Sequence, residues 1–259
     1  MRHLVRFAYL ALAHVWACIP VYASDIVIIG EFHDNPHHHL TQAKVIDETS
    51  PTSVVFEMLV PEQAENYNSS TDKSIDSIEA LLQWEDFGWP AFELYEPIFS
   101  ALGASHVYGA GLPRQDLGEA FQNGIVASFG QDADIFGLTQ PLAPQEQKKR
   151  EALQARAHCD AMPSDMLPAM VDIQRLRDAR LAQVALEALE TKGAPVVVIT
   201  GNGHARKDWA IPVYIAKAAP SVSVHVIGQT EENVTLDGDF DEIRTAPSIR
   251  RPDPCLAFK

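Results

Sequence analysis

Two glutamates and two histidines are the side chains in this sequence best suited to acid–base or metal chemistry. They are Glu31, His33, Glu57 and His204. Each glutamate closes an apolar run, where a buried carboxylate is costly unless it meets a partner, a metal or a proton. The four supply oxygen and nitrogen ligands for Zn²⁺ or Mn²⁺, with a carboxylate to spare as general base. Without a metal, His33 and Glu57 could act as general acid and base.

The four residues stand at the ends of three predicted strands. The runs 26–29, 54–56 and 196–199 are continuously apolar, which is typical of strands buried on both faces of a parallel sheet. In open α/β sheets, ligands lie outside the carboxyl ends of the strands. Each residue alone could simply mark where a strand meets solvent, but the agreement of three strand ends favours one shared site.

The same signals predict the fold class. Strand patterns recur near residues 25–29, 53–58, 105–110, 195–200 and 222–228. Between the first two lies a predicted helix that Asp34 or Asn35 can cap and Pro36 can start, which makes a βαβ unit. The last strand alternates, so we expect it to be an edge or half-exposed strand. We expect an α/β fold with a mostly parallel central sheet flanked by helices, with helical insertions.

A long helix is predicted from about Ser164 to Lys192, with a stop at Gly193. Its apolar stripe consists of Met170, Ile173, Leu181, Val184 and Ala188. Arg177 falls on this stripe, and a buried arginine needs a carboxylate or another anionic partner. We expect Arg177 to reach toward a carboxylate of the strand-end cluster; the alternative is an arginine that snorkels at the edge of the stripe.

Two further segments allow more than one interpretation. Residues 84–95 are rich in aromatic side chains and could line a flat hydrophobic pocket or form a small satellite core. The run His37-His38-His39 could bind a metal adventitiously, or it could place one histidine at the helix N-terminus facing the site. At most two of these three histidines can face inward on a helix.

The N-terminus has the features of a secretory signal peptide. Arg2 and Arg6 form a positive region, residues 7–19 are mostly apolar, and the residues up to Ala23 resemble a cleavage site. We expect residues 1–23 to be removed. Lipidation of Cys18 is the alternative, and both outcomes predict an exported protein, either periplasmic or lipid-anchored to the membrane.

The remaining chain, residues 24–259, is expected to form a single domain with an acidic, turn-rich tail from residue 229. The formal net charge of −15 argues against binding to nucleic acid. Cys159 and Cys255 are the cysteines left after cleavage, and in an exported chain they predict a disulfide. Two unrelated buried thiols are the alternative. The absence of a Gly-x-Ser-x-Gly sequence argues against a serine nucleophile.

Six short motifs, in consistent order, resemble those of one known family. They are Gly30–Pro36 with His38 and Gln42, Phe56–Met58, Trp89 with Tyr95 and Pro97, Gly111–Arg114, Gln174 with Arg177 and Asp178, and Gly201–Ala205. The pattern is similar to that of the ChaN-like haem-binding uptake proteins, whose superfamily includes the Tiki proteins and erythromycin esterases. Six motifs in order are far more specific than any one of them.

The resemblance implies an α/β core with a helical insertion and an exported or lipid-anchored protein that binds haem for iron acquisition. In the family, haem binding involves a tyrosine ligand and dimeric pairing of haems. The candidate tyrosines here are Tyr67, Tyr95, Tyr108 and Tyr214. The expected ligand-binding positions are His38, Arg114, Arg177, Asp178, Asn202 and Tyr95. A homodimer and an outer-membrane haem-uptake machinery are the implied partners.

The leading prediction is therefore an exported haem-binding protein of haem or iron uptake. Its ligand is expected at the carboxyl ends of the strands or in the adjacent aromatic segment. Haem needs an apolar slot, an axial ligand and cations for its propionates, and the histidines, residues 84–95 and Arg114 supply these types. The alternative is a metal-dependent hydrolase that uses the Glu/His cluster, because enzymatic branches of the superfamily are hydrolytic and the Tiki proteins are metal-dependent.

Overall fold

A computed structural model describes residues 23–253 and 255–256 of the chain. Its centre is a six-stranded sheet in which neighbouring strands are parallel. The strands are β1 (Ile26–Glu31), β2 (Ser53–Phe56), β3 (His106–Gly109), β4 (Val196–Gly201), β5 (Val224–Glu231) and β6 (Glu242–Ala246), in the order β3-β2-β4-β1-β5-β6. The predicted α/β fold with a parallel central sheet is confirmed. The signal-peptide prediction, including Cys18, falls on residues 1–22 and so lies outside the described residues, apart from Ala23.

Ten α-helices occur in the described part of the chain. They are α1 (Pro36–Thr49), α2 (Pro61–Ser69), α3 (Ile75–Leu82), α4 (Glu96–Ala101), α5 (Arg114–Asn123), α6 (Ile125–Phe129), α7 (Pro144–Ala157), α8 (Leu167–Lys192), α9 (Asn202–Ala205) and α10 (Ile211–Ala218). Short 3-10 helices cover Trp84–Phe87, Phe92–Leu94 and Gln131–Ala133. At the start of α1, the Asn35 side chain accepts a hydrogen bond from the backbone N–H of His37, as the capping signal predicts. Within residues 23–253, no helix has the length and apolar character needed to cross a membrane.

A hydrophobic core lies on each face of the sheet. Along β1, Val27 and Ile29 belong to one core and Ile26 and Ile28 to the other, which explains the continuous apolar run. The first core is rich in aromatic side chains, namely Trp84, Phe92, Tyr95 and Phe99. The aromatic segment 84–95 therefore contributes mainly to a core, whereas Trp89 lines cavities near the strand ends.

The C-terminal part of the sheet differs from the prediction. β5 is not an edge strand, because β6 pairs with it from Ile227 onward. The alternating start of β5, Val224 to Val226, lies outside this pairing and only Val226 is fully buried there. The tail predicted to be merely turn-rich thus contains the outermost strand. The prediction missed β6 because short edge strands with charged residues give a weak apolar signal.

The helix α8 begins at Leu167 and ends at Lys192, followed by Gly193 as predicted. Its buried face is centred on alanines, and the larger Ile173 and Val184 lie half-buried at the margins. The apolar stripe was assigned to these larger residues because alanine contributes little to a hydropathy pattern. The predicted disulfide joins Cys159, after α7, to Cys255 in the tail.

Candidate functional site

Glu31 closes β1 and is hydrogen-bonded through both carboxylate oxygens. Its Oε1 accepts a hydrogen bond from the Tyr95 hydroxyl at 2.8 Å and lies 2.6 Å from His33 Nδ1. Its Oε2 accepts a hydrogen bond from the Gln42 side-chain amide at 2.6 Å. Burial alone would raise the pKa of Glu31, but the hydrogen bond to His33 and the His39 ring, whose Nε2 lies 3.4 Å from Oε2, outweigh it and lower the pKa to about 2. The carboxylate is therefore ionised at neutral pH.

His33 is the partly exposed member of the cluster, with 34% of its side chain accessible. Its ring lies 5.1 Å from that of Trp89, and its Nε2 lies against Gly201 with no hydrogen-bond partner among the described residues. Burial alone would lower the pKa of His33, but the hydrogen bond to Glu31 and the charge of Glu57 raise it to about 9. His33 is therefore an imidazolium at neutral pH.

Glu57 follows β2 and is held from three sides. Its Oε2 accepts hydrogen bonds from the Thr200 hydroxyl at 2.6 Å and the Gly201 backbone N–H at 2.8 Å. Its Oε1 accepts a hydrogen bond from Arg177 Nη2 at 2.5 Å and lies 3.4 Å from His204 Nε2. Burial alone would raise the pKa of Glu57, but the charges of His204 and Arg177 hold it well below its usual value.

His204 connects two buried carboxylates. The short helix α9 places its Nδ1 2.6 Å from Asp178 Oδ1, and its Nε2 faces Glu57. Burial raises the pKa of Asp178, and the charge of His204 only partly offsets this effect. A histidine held through Nδ1 in this way presents its Nε2 in a fixed orientation for proton exchange or ligation.

The four strand-end residues therefore lie together, and Arg177 contacts a carboxylate as the sequence predicts. Glu57 is contacted directly by Arg177 and His204, and its charge acts on His33. Arg177 is also at the edge of the buried face of α8, because 27% of its side chain is exposed. Arg177 thus pairs with a carboxylate, as the first interpretation predicts, and also reaches solvent at the edge of the buried face, as the second one predicts.

A cavity of about 930 Å³ opens over the strand ends. Its polar wall includes Glu31, His33, Glu57, Gln174, Arg177, Asn202 and His204. Its apolar wall consists of Phe32, Trp89, Ala157 and Val234. A cavity of this size is at the upper end of the range for small-molecule and cofactor sites, about 300–1,000 Å³. We call it the strand-end cavity.

Sequence reasoning missed the rim of this cavity. Arg251 donates hydrogen bonds to both carboxylate oxygens of Asp34, at 2.6 and 2.8 Å, and to both of Glu231, at 2.6 and 2.8 Å. The C-terminal segment thereby crosses the ends of β1 and β5 before it reaches the disulfide at Cys255. Glu231 closes β5 but follows the polar residues Gln229 and Thr230, so it lacks the signal that marks Glu57. Nothing in the local sequence distinguishes Arg251 from other exposed arginines.

Two of the predicted ligand-binding residues are occupied by structural contacts. His38 does not line the strand-end cavity: its Nδ1 accepts a hydrogen bond from the Phe32 backbone N–H at 2.8 Å, and its Nε2 lies 3.3 Å from the Thr230 carbonyl. The Asn202 amide borders the cavity, but it exchanges two hydrogen bonds with the Gln229 backbone, at 2.8 and 3.0 Å. These contacts join the ends of β1, β4 and β5, so both residues shape the site.

Two more of the six predicted ligand-binding residues, Tyr95 and Arg114, lie away from the strand-end cavity. Tyr95 is fully buried beneath Glu31 and acts on the site through that carboxylate. Arg114 lies outside the strand-end cavity and lines a neighbouring cavity of about 410 Å³. Neither residue therefore contacts the space above the strand ends directly.

The geometry gives no support to the metal prediction. Among the described residues, no three His, Cys, Asp or Glu side chains converge in an arrangement that could hold a metal ion. The physical reason is that the acceptor oxygens of Glu31 and Glu57 are already engaged by protein donors. His204 likewise is committed to Asp178 through one nitrogen and faces Glu57 with the other.

Comparisons with known proteins relate this chain to one protein family. Residues 20–215 match the protein-family model described as haem-binding uptake, Tiki superfamily, ChaN. Among solved structures, one of cofacial haem binding to ChaN of Campylobacter jejuni is similar, with 20% identity over 83% of this chain and 85% of that chain and a TM-score of 0.63. An erythromycin esterase EreC mutant is 17% identical over 80% of this chain and 70% of that chain, with a TM-score of 0.44. No curated protein sequence matches the chain.

Proposed function

The chain belongs to the ChaN family of haem-binding uptake proteins in the Tiki superfamily, and we propose that it binds haem in the strand-end cavity. One observation carries this position for the ligand. His33 turns Nδ1 to Glu31 and leaves Nε2 without a protein partner among the described residues, beside a cavity large enough for a cofactor. A histidine whose second nitrogen is held by a carboxylate is the usual form of a metal-ligating imidazole.

The other requirements of haem are met by residues that surround His33. Phe32, Trp89 and Val234 supply apolar walls for the macrocycle. Arg177 and Arg251 also line the cavity, and each could share its positive charge with a propionate while it remains paired with a protein carboxylate. The cavity therefore offers a ligand for the iron, apolar walls for the macrocycle and positive charge for the propionates.

The tyrosine ligand of the family has no suitable counterpart among the four candidates. Burial raises the pKa of Tyr67 and Tyr95, and it raises the pKa of Tyr214 to about 12, so that the phenolate form is disfavoured. Tyr108 is half-buried, bonds its hydroxyl to Thr191 at 2.6 Å and does not line the cavity. We therefore assign the iron ligand to His33 rather than to a tyrosine.

A haemin titration tests this proposal directly. We expect the protein without residues 1–23 to shift the Soret band of haemin to that of histidine-ligated iron. His33→Ala should lose this spectrum, whereas His37→Ala, on the partly exposed start of α1, should keep it. Identical titrations of His33→Ala and the unmodified protein would assign the ligand elsewhere. No haemin binding by any of the three would overturn the proposed function.

A second candidate function is hydrolysis without a metal, and the chain of contacts from Asp178 through His204 to Glu57 favours it. His33, an imidazolium at neutral pH, would be the general acid. Glu57 would be the general base, a weak one because neighbouring positive charges hold its pKa low, and His204 would hold it in position through Nε2. A screen of ester and peptide substrates with and without chelator, comparing His204→Ala with the unmodified protein, tests this candidate.

We further propose that the protein is exported and takes part in haem uptake at the outer membrane, either as a homodimer or with other uptake proteins. The N-terminal pattern supports export, and the family supports uptake. The intact mass of the exported protein decides how it is processed. A chain that begins at Ser24 supports cleavage after Ala23, whereas a lipidated chain that begins at Cys18 supports anchoring.

A further inference from the structure

A second cavity of about 410 Å³ adjoins the strand-end cavity. The two cavities share Glu57, Trp89 and Arg177 in their walls. The rest of the second cavity is mainly apolar and includes Phe87 and Leu112. Because Glu57 is already paired with Arg177, the shared wall presents little unpaired negative charge toward either cavity. A ligand of sufficient size could therefore occupy the strand-end cavity and extend across Trp89.

Arg114 is the distinctive residue of this second cavity. Its side chain is exposed, and the described residues provide no hydrogen bond or ion pair for its guanidinium. By contrast, Arg177 and Arg251, which line the strand-end cavity, are paired with carboxylates at 2.5 and 2.6 Å. Asp86 also lines the second cavity, but no ion pair within 4.0 Å joins it to Arg114. Arg114 is thus an available cation beside an apolar wall.

The position of Arg114 in its helix adds to this positive charge. Arg114 is the first residue of α5, a helix of ten residues, and no side chain caps the start of that helix. The free backbone N–H groups and the helix dipole make a helix N-terminus favourable for anions and unfavourable for a cation. A bound carboxylate would relieve the repulsion between Arg114 and the helix start. Asp116 in the first turn of α5 offsets part of this positive charge, so it is the cavity and the available guanidinium that favour an anionic group.

We propose that the second cavity is a carboxylate subsite, with Arg114 as the residue that binds the anionic arm of a ligand whose apolar body lies in the strand-end cavity. The ligand class is an amphiphile with a flat apolar body and a carboxylate arm. This inference rests on the proposed haem function, in which the arm is a propionate. It adds a specificity-determining residue that lies outside the Glu/His cluster.

The test compares haemin with its dimethyl ester, which keeps the macrocycle and removes the carboxylate charges. We expect Arg114→Gln to weaken haemin binding about fivefold, the size expected for a partly solvated ion pair. The same substitution should leave binding of the ester unchanged. Lys149→Gln removes one positive charge from an exposed position on α7 outside both cavities, so it controls for net charge. It should leave both affinities unchanged.

Different outcomes separate the subsite from the proposed function. If haemin binds and Arg114→Gln equals Lys149→Gln, the subsite is wrong and haem binding stands. If haemin does not bind, anilinonaphthalene sulfonate, which joins an aromatic body to an anionic group, becomes the probe in a fluorescence titration. Weaker dye binding by Arg114→Gln than by Lys149→Gln would support the subsite without haem. Equal dye binding by the two variants would overturn it.

Discussion

His33 Nδ1 lies 2.6 Å from Glu31 Oε1, so the histidine that opens into the strand-end cavity is held by a buried carboxylate. The Tyr95 hydroxyl donates to the same oxygen, and Gln42 donates to the other one. Glu31 is therefore fixed by residues of α1 and of the aromatic core. It fixes the orientation of His33 in turn and, together with the charge of Glu57, outweighs the effect of burial and raises the pKa of His33 to about 9.

Haemin affinity should depend on pH in a defined direction. Iron binds neutral imidazole, so the proton on His33 competes with the ligand below its pKa of about 9. We expect the affinity to rise about tenfold for each pH unit between pH 6 and 8, and to level off near pH 9. Soret titrations at several pH values measure this dependence. His33→Ala should bind weakly at every pH, and a flat profile for the unmodified protein would contradict the assignment of the ligand.

Arg177→Met should destabilise the fold through Glu57. The substitution removes the 2.5 Å hydrogen bond to a buried carboxylate, and we expect a loss of about 2 kcal/mol, less than for a fully buried pair because Arg177 is 27% exposed. Urea denaturation measures the loss. Arg180→Met is the matched control, because Arg180 lies on the same helix and donates to the neutral Gln183. Arg180→Met should lower the free energy of unfolding by less than Arg177→Met does.

The destabilisation by Arg177→Met should also depend on pH. Glu57 has a lowered pKa in the fold, so it contributes stability above its unfolded pKa and loses it as pH falls toward the folded value. Removal of Arg177 reduces this contribution. The difference in the free energy of unfolding between the unmodified protein and Arg177→Met should therefore be largest near neutral pH and become smaller below about pH 4. A constant difference from pH 7 to pH 3 would show that Arg177 acts through packing alone.

The disulfide should stabilise the C-terminal segment and, with it, the domain. Replacing both Cys159 and Cys255 by serine should cost about 2–4 kcal/mol in the free energy of unfolding, because the bond closes a long loop with a sequence separation of 96 residues. Urea denaturation without reductant measures this loss, and reductant should remove the difference between the two proteins. Two free thiols in the denatured, unreduced protein without residues 1–23 would contradict the bond.

The central strands were predictable because their burial is visible in the sequence. β1 and β4 are each packed on both faces, which requires the continuous apolar runs that were recognised. The edge strand β6 escaped prediction because its residues are mostly charged or exposed, as the outer side of a sheet requires. On the predicted stripe of α8, Leu181 and Ala188 are buried, whereas Met170, Ile173 and Val184 are half-buried because alanines beside them make many of the closer contacts.

The site was predictable to the extent that its residues stand beside strands. Glu31 and Glu57 were identified because a carboxylate after an apolar run is unusual, and the histidines followed from the glycines beside them. Arg251 was not predictable, because its partners Asp34 and Glu231 are 217 and 20 residues away and only the fold brings them together. The roles of His38 and Asn202 depend on backbone groups of β5, which no local pattern reveals.

Two neighbouring glycines provide the sharpest test of the strand-end cavity. A Cβ on Gly201 would lie 2.9 Å from His33 Nε2, whereas a Cβ on Gly203 would meet no atom within 4 Å. Both residues are near the end of β4, and neither has a backbone angle that disfavours alanine. Gly201→Ala should push the His33 ring out of position without removing a hydrogen bond, since the Gly201 backbone N–H still donates to Glu57.

We expect Gly201→Ala to weaken haemin binding about tenfold to a hundredfold, because displacement of a binding group by about 1 Å can have this effect. Gly203 also lines the cavity, but its added Cβ meets no protein atom, so Gly203→Ala should weaken haemin binding much less than Gly201→Ala does. Soret titrations measure the affinities, and thermal denaturation checks that both variants fold. If the two variants bind haemin equally well, the ligand does not use His33 Nε2. The same two variants also test the hydrolytic candidate, in which His33 is the general acid. If the protein is a hydrolase, Gly201→Ala should lose activity and Gly203→Ala should keep most of it.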